Sequence, residues 1–427
     1  MQLRSVICLL IAAAGGLSSL LAQDLRFEQR AAADAVKRGN YNEAIVTCSK
    51  LINRNPQSAG ARYDRGVIYL MKGDFENAIT DLTRAVGMDP TKAAPYSTLA
   101  IAYAAQGSAL KRAADCDKAI AISDKALQCD PRFVDAYGAR GWAYVCKAEA
   151  TQTFAPCDTA IVAFTTLIRA NPRDGRAYIG RGRAYHDKGR YDEAIADENQ
   201  AIRLSPGSTR AYNDRGMSYS SKGDYDKAAA DFTKSIALSN PTGSAKDLAI
   251  AYSNRGTANN GKEKYKEAIA DFTKAISLDP MNTFFYGNRA IAYLQTKNFS
   301  AAMADLNRAL QRDPKTPRVY NDLAWFLATC PEASFRNGAR AIEYATKACE
   351  MTKWRNGDFV DTLAAAYAET GQFEEAVKRE QQVLELPDTE AKISAARARL
   401  SLYRSRKPYR AEKRHLAPPA PIIPPRA

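Results

Sequence analysis

The chain has 427 residues, 46% of them hydrophobic and 25% charged, with a formal net charge of +14. That hydrophobic content excludes a wholly disordered chain, and the length admits two or three globular domains or one elongated array. The charge is uneven: residues 389–427 hold ten Lys/Arg against two Asp/Glu, so the basic character belongs largely to the end of the chain rather than to a field over the whole surface.

The chain begins MQLRSVICLLIAAAGGLSSLLA, with Arg4 near the start, an apolar run from Val6 and small residues ahead of Gln23. This is the layout of a secretory signal peptide, with cleavage expected after Ala22. The rival reading is a retained membrane anchor; the apolar run is 17 residues, at the bottom of the spanning range, and Gly15-Gly16 interrupts it. Cys8 lies too early in that run for lipid attachment. No later segment is apolar enough to cross a bilayer, so the expected mature protein is soluble and exported, periplasmic or extracellular.

From residue 25 onward the sequence repeats. GRAYIGRGRAYHDKGRYDEAIADENQAIRLSP (175–206), TRAYNDRGMSYSSKGDYDKAAADFTKSIALSN (209–240) and IAYSNRGTANNGKEKYKEAIADFTKAISLDP (250–280) share one skeleton. Apolar residues fall at helical spacing on both sides of a central turn, which predicts a helical hairpin for each unit. A lone hairpin cannot bury its apolar faces, whereas stacked neighbours can. Gly182, Gly216 and Gly256 fall in mid-helix, where Gly costs about 1 kcal/mol relative to Ala, so a partner backbone is expected to pass too close for a side chain. Ala194, Ala228 and Ala268 are the matching small residues, Pro206 and Pro280 close the second helix, and the Gly before Tyr191 and Tyr225 marks the turn.

This 34-residue unit of Tyr, Gly, Tyr, Gly, Tyr, Ala, Phe, Ala and Pro resembles the tetratricopeptide repeat. The resemblance implies an all-α fold, a right-handed superhelical solenoid of about ten helix-turn-helix units. Counted by the Ala and Pro positions they are 25–58, 59–92, 93–133, 134–174, 175–208, 209–248, 249–282, 283–316, 317–356 and 357–388. Units 1, 9 and 10 depart most from the pattern, as terminal units with one solvent-facing side are expected to. Arg65, Arg181, Arg215, Arg255 and Arg289 share one repeat position, and Asp81, Asp197, Asp231, Asp271 and Asp305 another. Recurrence down the array points to charge pairing between neighbouring helices rather than to a ligand. GRGRAY (180–185) is not a nucleotide loop, because no strand precedes it and its glycines belong to the repeat.

Units 3 and 4 carry seven extra residues each. Seven residues are about two helical turns, so both helices of each hairpin are expected to lengthen by about one turn, with the second turn near Thr151-Gln152, forming a crest. Cys146 and Cys157 lie symmetrically about that turn, yet Cys146 sits about 140° around its helix from Gly141, the face touching the second helix, which argues against a bridge between them. Cys116 and Cys157 hold equivalent positions in successive hairpins, beyond disulfide reach. Cys48 and Cys349 read as small buried hydrophobes. With two histidines, His186 and His415, and no paired CxxC, no metal site or cofactor is expected.

No nucleophile–base pair or phosphate loop stands out, and the expectation is a non-catalytic protein. The family resemblance implies a concave groove lined by residues two, five, nine and twelve of each unit. In units 5 and 6 these are Arg176, Ile179, Arg183, His186, Arg210, Asn213, Met217 and Ser220; unit 4 gives Asp135, Trp142 and Val145, and unit 8 gives Phe284, Ile291 and Leu294. Arg176, Arg183, His186, Arg210 and Asn213 are the candidate ligand-binding residues. The family's grip on a peptide's terminal carboxylate through Lys, Arg and Asn is not reproduced at its expected positions; the clustered arginines point to an acidic segment.

Residues 390–407 read as an amphipathic helix with Ile393, Ala396, Leu400 and Tyr403 on one stripe, capping the solenoid within 389–407. Residues 408–427, with six Pro in twenty, read as a disordered Pro/Arg-rich tail. AWFLATCPEASFRNGARAIEYA followed by DTLAAAYAETG resembles the final repeats of exported bacterial tetratricopeptide proteins. The functional expectation is a protein- or peptide-binding scaffold of the cell envelope. The alternative is binding of an anionic surface or polyanion through the basic C-terminal region; no specific nucleic acid is expected as a partner.

Overall fold

The computed structural model describes residues 23–151, 153–239, 244–386 and 390–411. The leader expected at 1–22 lies outside them, as does the tail expected at 408–427 except for its first four residues. Among the described residues there are 21 α-helices and no strand. They pair in chain order as hairpins: α1 (Gln23–Lys37) with α2 (Tyr41–Arg54), α3 (Ala59–Lys72) with α4 (Phe75–Met88), α5 (Ala93–Leu110) with α6 (Ala113–Cys129), α7 (Val134–Thr151) with α8 (Ala155–Ala170), α9 (Gly175–Asp187) with α10 (Tyr191–Leu204), and α11 (Thr209–Ser221) with α12 (Tyr225–Leu238). The chain then divides into a second compact unit, beginning at Thr242. It holds α13 (Ala245–Gly261) with α14 (Tyr265–Leu278), α15 (Thr283–Gln295) with α16 (Phe299–Arg312), α17 (Pro317–Thr329) with α18 (Gly338–Met351), α19 (Gly357–Glu369) with α20 (Phe373–Glu385), and α21 (Glu390–Arg404).

Local chemistry sets each hairpin. Between α11 and α12, Gly223 adopts φ +82, a left-handed turn that side chains resist. The Gly223 N–H donates to Ser220 O at 3.0 Å and the Asp224 N–H to Tyr219 O at 2.9 Å, satisfying carbonyls that the helix end would leave free. Asp224 then caps α12, its carboxylate accepting from the Lys227 N–H at 3.3 Å.

Packing within hairpins turns on the mid-helix glycines. A Cβ at Gly216 would sit 2.7 Å from Phe232 Cε1, and one at Gly256 would sit 2.9 Å from Phe272 Cε1. Both phenylalanines are buried. The close neighbour is therefore a side chain at these two positions, not the backbone that the sequence pattern suggested. At Gly182 backbone does come nearest, Ala194 O at 3.3 Å, because the phenylalanine is absent there. In the first unit the largest apolar core runs through Leu70, Leu82, Leu99, Trp142, Phe164 and Ile179; in the second, one cluster gathers Leu306, Leu323, Phe326 and Leu327.

The recurring arginines pair as expected, and they do more. Arg215 holds Asp231 of the same hairpin through Nε and Nη2, both at 2.7 Å, while its Nη1 reaches back to Asn199 of the preceding hairpin at 2.6 Å. Arg181 repeats the arrangement with Asp197 and Thr165, and Arg289 with Asp305 and Thr273. Each guanidinium also lies over at least one neighbouring tyrosine; that of Arg215 is 5.6 Å from the Tyr212 ring and 5.9 Å from the Tyr219 ring. One side chain thus ties three helices, and the hydrogen bonds to Asp231 hold the Arg215 pKa above its usual range.

In the lengthened hairpins α5 and α7 have 18 residues each and α6 and α8 have 17 and 16, against 13 and 14 for α9 and α10. Cys146 and Cys157 are not joined. Cys146 bonds Cys116, with Cα atoms 5.8 Å apart, and Cys157 is buried and free. The bridge runs from the second helix of one hairpin to the first of the next, a pairing that comparison of equivalent repeat positions does not reveal.

Candidate functional site on the first helices of hairpins four to six

The sequence-predicted residues lie on α7, α9 and α11, where their surroundings are more acidic than their own row suggests. Arg176 is half-buried and folds onto Asp174, with Nη2 2.6 Å from Oδ2 and Nε 2.8 Å from Oδ1, while Asp174 also caps α9. Arg183 is 2% exposed. Its Nε lies 3.1 Å from Asp187 Oδ1 and its Nη2 3.5 Å from Glu149 Oε1. Arg210, also buried, pairs with Asp214 at 3.3 Å and stacks over the Trp142 ring at 4.9 Å. Trp142 in turn packs edge-on against Phe164, with ring centroids 5.4 Å apart. His186 is buried beside Ser221, Nε2 to Oγ 3.2 Å, and beside Tyr191. Asn213 is buried on α11 between Arg210 and Met217 in the chain.

These contacts bring Arg183, His186 and Arg210 into one cluster with Glu149, Asp187 and Asp214. Arg176 stands at its rim with Asp174. Burial lowers the pKa of both internal arginines, but Asp187, Glu149 and Asp214 outweigh it for Arg183, which ends above its usual range. For Arg210 burial wins, helped by the nearby Arg183 charge, and its pKa is lowered. Of the other groove positions, Ile179, Val145, Met217 and Ser220 are buried. Phe284 lines a shallow depression in the second unit with Asn288, Val319 and Asp322.

Four carboxylates were missed from sequence. Asp187 and Asp214 lie outside the groove positions. Glu149 belongs to the added length of α7, and it also accepts a hydrogen bond from Ser108, at 3.1 Å, in the added length of α5. The extra turns therefore feed the cluster. Glu198 comes from a second helix, α10. It stands where other hairpins place Leu82, Phe164, Phe232, Phe272 and Leu306, a mismatch legible in ADENQ against ADFTK. It is 1% exposed and accepts from Ser218 Oγ at 3.0 Å. Burial, then the Asp214 charge, pushes its carboxyl well above the usual carboxylate range. Arg183 Nη1, Asp214 Oδ1 and Glu198 Oε2 are buried and make no hydrogen bond within the protein.

Three sequence families, each described as tetratricopeptide repeat, match the chain at residues 30–93 and 157–209, at 208–281 and at 261–325. Together the matches span more than half of the chain. No curated protein matches it. Among solved structures, yeast Tom70 is 14% identical with a TM-score of 0.53, covering 89% of this chain and 88% of that one. The human IFIT1 dimer with m7Gppp-AAAA is 15% identical with a TM-score of 0.51, covering 90% and 94%. A tetratricopeptide repeat protein of Parabacteroides merdae is 23% identical with a TM-score of 0.45, covering 60% of this chain and 94% of that one. At these identities the likeness to Tom70 and to IFIT1 concerns the fold alone.

Proposed function

This chain belongs to the tetratricopeptide repeat family, and from that premise we propose that it is an exported, non-catalytic scaffold of the cell envelope that seats a protein or peptide partner on the first-helix face of hairpins four to six. A helical-repeat scaffold suits protein–protein contact. One observation carries the choice of face: polar groups of Arg183, Asp214 and Glu198 are buried there without hydrogen bonds inside the protein. Each such group costs about 1–3 kcal/mol. Hairpins six and seven fill the Glu198 position with phenylalanine, so packing alone does not call for a carboxyl group.

The partner segment in this reading is polar and brings an acidic side chain to Arg176, at the rim of the buried Arg183 cluster. Because Asp174, Asp187, Glu149 and Asp214 already compensate the arginines, the segment gains more from fixed hydrogen-bond geometry than from net charge. The signal-peptide layout of residues 1–22 supports the reading of an envelope location.

The test compares three full-length proteins in capture from an envelope extract at about 0.5 M salt, where screening shortens to a few ångströms. Wild type is set against Arg176→Glu on the proposed face and against Val162→Asp on α8, whose side chain is exposed. We expect a partner retained by wild type and by Val162→Asp, and reduced about tenfold, near 1.4 kcal/mol, by Arg176→Glu. Equal capture by all three overturns the assignment of the face. Loss of everything at that salt assigns binding to exposed charge instead.

A further inference from the structure

The disulfide and the Arg183 cluster meet on one helix. α7 sends Trp142 to the Arg210 guanidinium, at 4.9 Å, and Glu149 to Arg183 Nη2, at 3.5 Å. Cys146 lies between them in the chain, four residues after Trp142 and three before Glu149, so all three fall within about two turns. Its sulfur is bonded to Cys116 of α6, in the preceding hairpin. The second helix of hairpin three thereby holds the stretch of α7 that serves both arginines.

A second path runs through α5. A Cβ at Gly107 would come 2.8 Å from Cys116 Sγ, so a residue without a side chain lets α5 close on the bridge. The next residue, Ser108, donates to Glu149 at 3.1 Å. From Cys116 through Gly107 and Ser108 to Glu149 and Arg183, contacts run without a gap from the bridge to the cluster.

The bridge belongs to the lengthened hairpins. Counted from the buried Ala119, Cys116 stands where other hairpins open the second helix with Phe75, Tyr191 or Tyr225. Hairpin four repeats the substitution with Cys157, but the residue of hairpin five in register with Cys146 is Asp187. Burial, then the Asp187 charge, pushes the Cys157 thiol up to about 11, which makes it a poor competitor for the bridge sulfurs. Asp187 itself holds Arg183 Nε at 3.1 Å. The same place between successive hairpins is thus a covalent bond at one junction and a carboxylate of the cluster at the next.

We propose that oxidation of Cys116 and Cys146 completes the candidate site: the bridge fixes the end of α7, and the fixed α7 seats Glu149 on Arg183. In the reduced chain Glu149 has no fixed place and the cluster is loose. The oxidant is a protein or small-molecule disulfide. One S–S bond forms in the chain as one breaks in the oxidant, which leaves as a dithiol carrying two electrons and two protons. Both bridge sulfurs are buried, so the bond, once made, is shielded from reductants. This suits the export expected from residues 1–22, since oxidising compartments lie outside the cytosol. The proposal rests on the reading of this face as the binding site and adds the condition under which the face is assembled.

Hydrogen exchange on the full chain tests it, with the chain oxidised or else reduced and refolded in excess dithiothreitol. The Arg183–Asp187 amides of α9 lie outside the two bridged hairpins. They should exchange at least tenfold faster in the reduced chain, while those of Tyr265–Leu278 in the second unit stay unchanged. Glu149→Ala should give most of that acceleration with the bridge intact, and less than a further twofold once it is reduced. A chain carrying both Cys116→Ala and Cys146→Ala should match the reduced wild type. Unchanged protection of α9 on reduction, or an equal effect of Glu149→Ala in both redox states, overturns the proposal. So does a reduced chain that loses helix throughout the first unit, since the bridge would then be a general support. The capture experiment reports on the face separately: coupled exchange with equal capture by its three proteins overturns the face and leaves the coupling standing.

Discussion

Hairpins five and six follow one repeat pattern and differ at several buried positions, most sharply at the one between their two helices, Glu198 against Phe232. Both use the same arginine ladder, Arg181 to Asp197 and Arg215 to Asp231. Both place a glycine in mid-helix opposite the second helix. In hairpin six that glycine receives the Phe232 ring; in hairpin five the corresponding side chain is Glu198, which passes through the interior to Ser218 and the Arg183 cluster. The repeat frame is held by backbone turns and the ladder. The position between the two helices is thereby released to be apolar packing in one copy and a buried acid in the next.

The comparison is broken most severely at the divergent residue itself. Phe232→Ala should lower stability by about 3–5 kcal/mol through the cavity it leaves. Glu198→Ala should cost about 1–2 kcal/mol, since the burial of a polar group is lost along with its hydrogen bond; equal losses in denaturant titrations would erase the distinction. The shared ladder sets a control: Arg181→Ala and Arg215→Ala should cost similar amounts, about 2–3 kcal/mol each, below the range for fully buried pairs. The glycines separate the copies again. Gly216→Ala forces a shift of Phe232 and should cost about 1–2 kcal/mol, whereas Gly182→Ala meets nothing closer than 3.3 Å and should be neutral or stabilising by up to about 1 kcal/mol. A matching cost at both would show that the ring is not the obstacle.

The smallest effect is read in its pH dependence. Because the folded-state pKa of Glu198 is raised far above its ordinary value of 4.5, its contribution to stability is complete below that value and is lost as pH rises toward the folded pKa. Glu198→Gln cannot ionise, so its Tm should gain on wild type progressively from acid to alkaline pH. Parallel Tm profiles would mean that the carboxyl is not held protonated.

Much of this architecture was legible beforehand because it is local. Turn glycines, capping aspartates and the 34-residue recurrence each act within a few residues, and the Arg–Asp ladder repeats at a fixed spacing of 16 positions. The candidate arginines were legible as a row, since one helix face follows from helical period alone. Asp187 and Asp214, four residues on in the same helices, follow from that period too, but two other carboxylates do not: Glu149 reaches Arg183 only because α7 was lengthened, and Glu198 arrives from the other helix of the hairpin.

The sequence by itself determined the hairpins, their number and order, and the recurrent ladder, because those interactions join residues at constant separation. Tertiary structure alone decided that Cys116 meets Cys146, that Glu149 of α7 reaches Arg183 on α9, and that Tyr409 returns to Trp325. Each of these joins elements whose separation varies from copy to copy. Such a contact is fixed by how neighbouring helices pack in space, and no period in the chain records it.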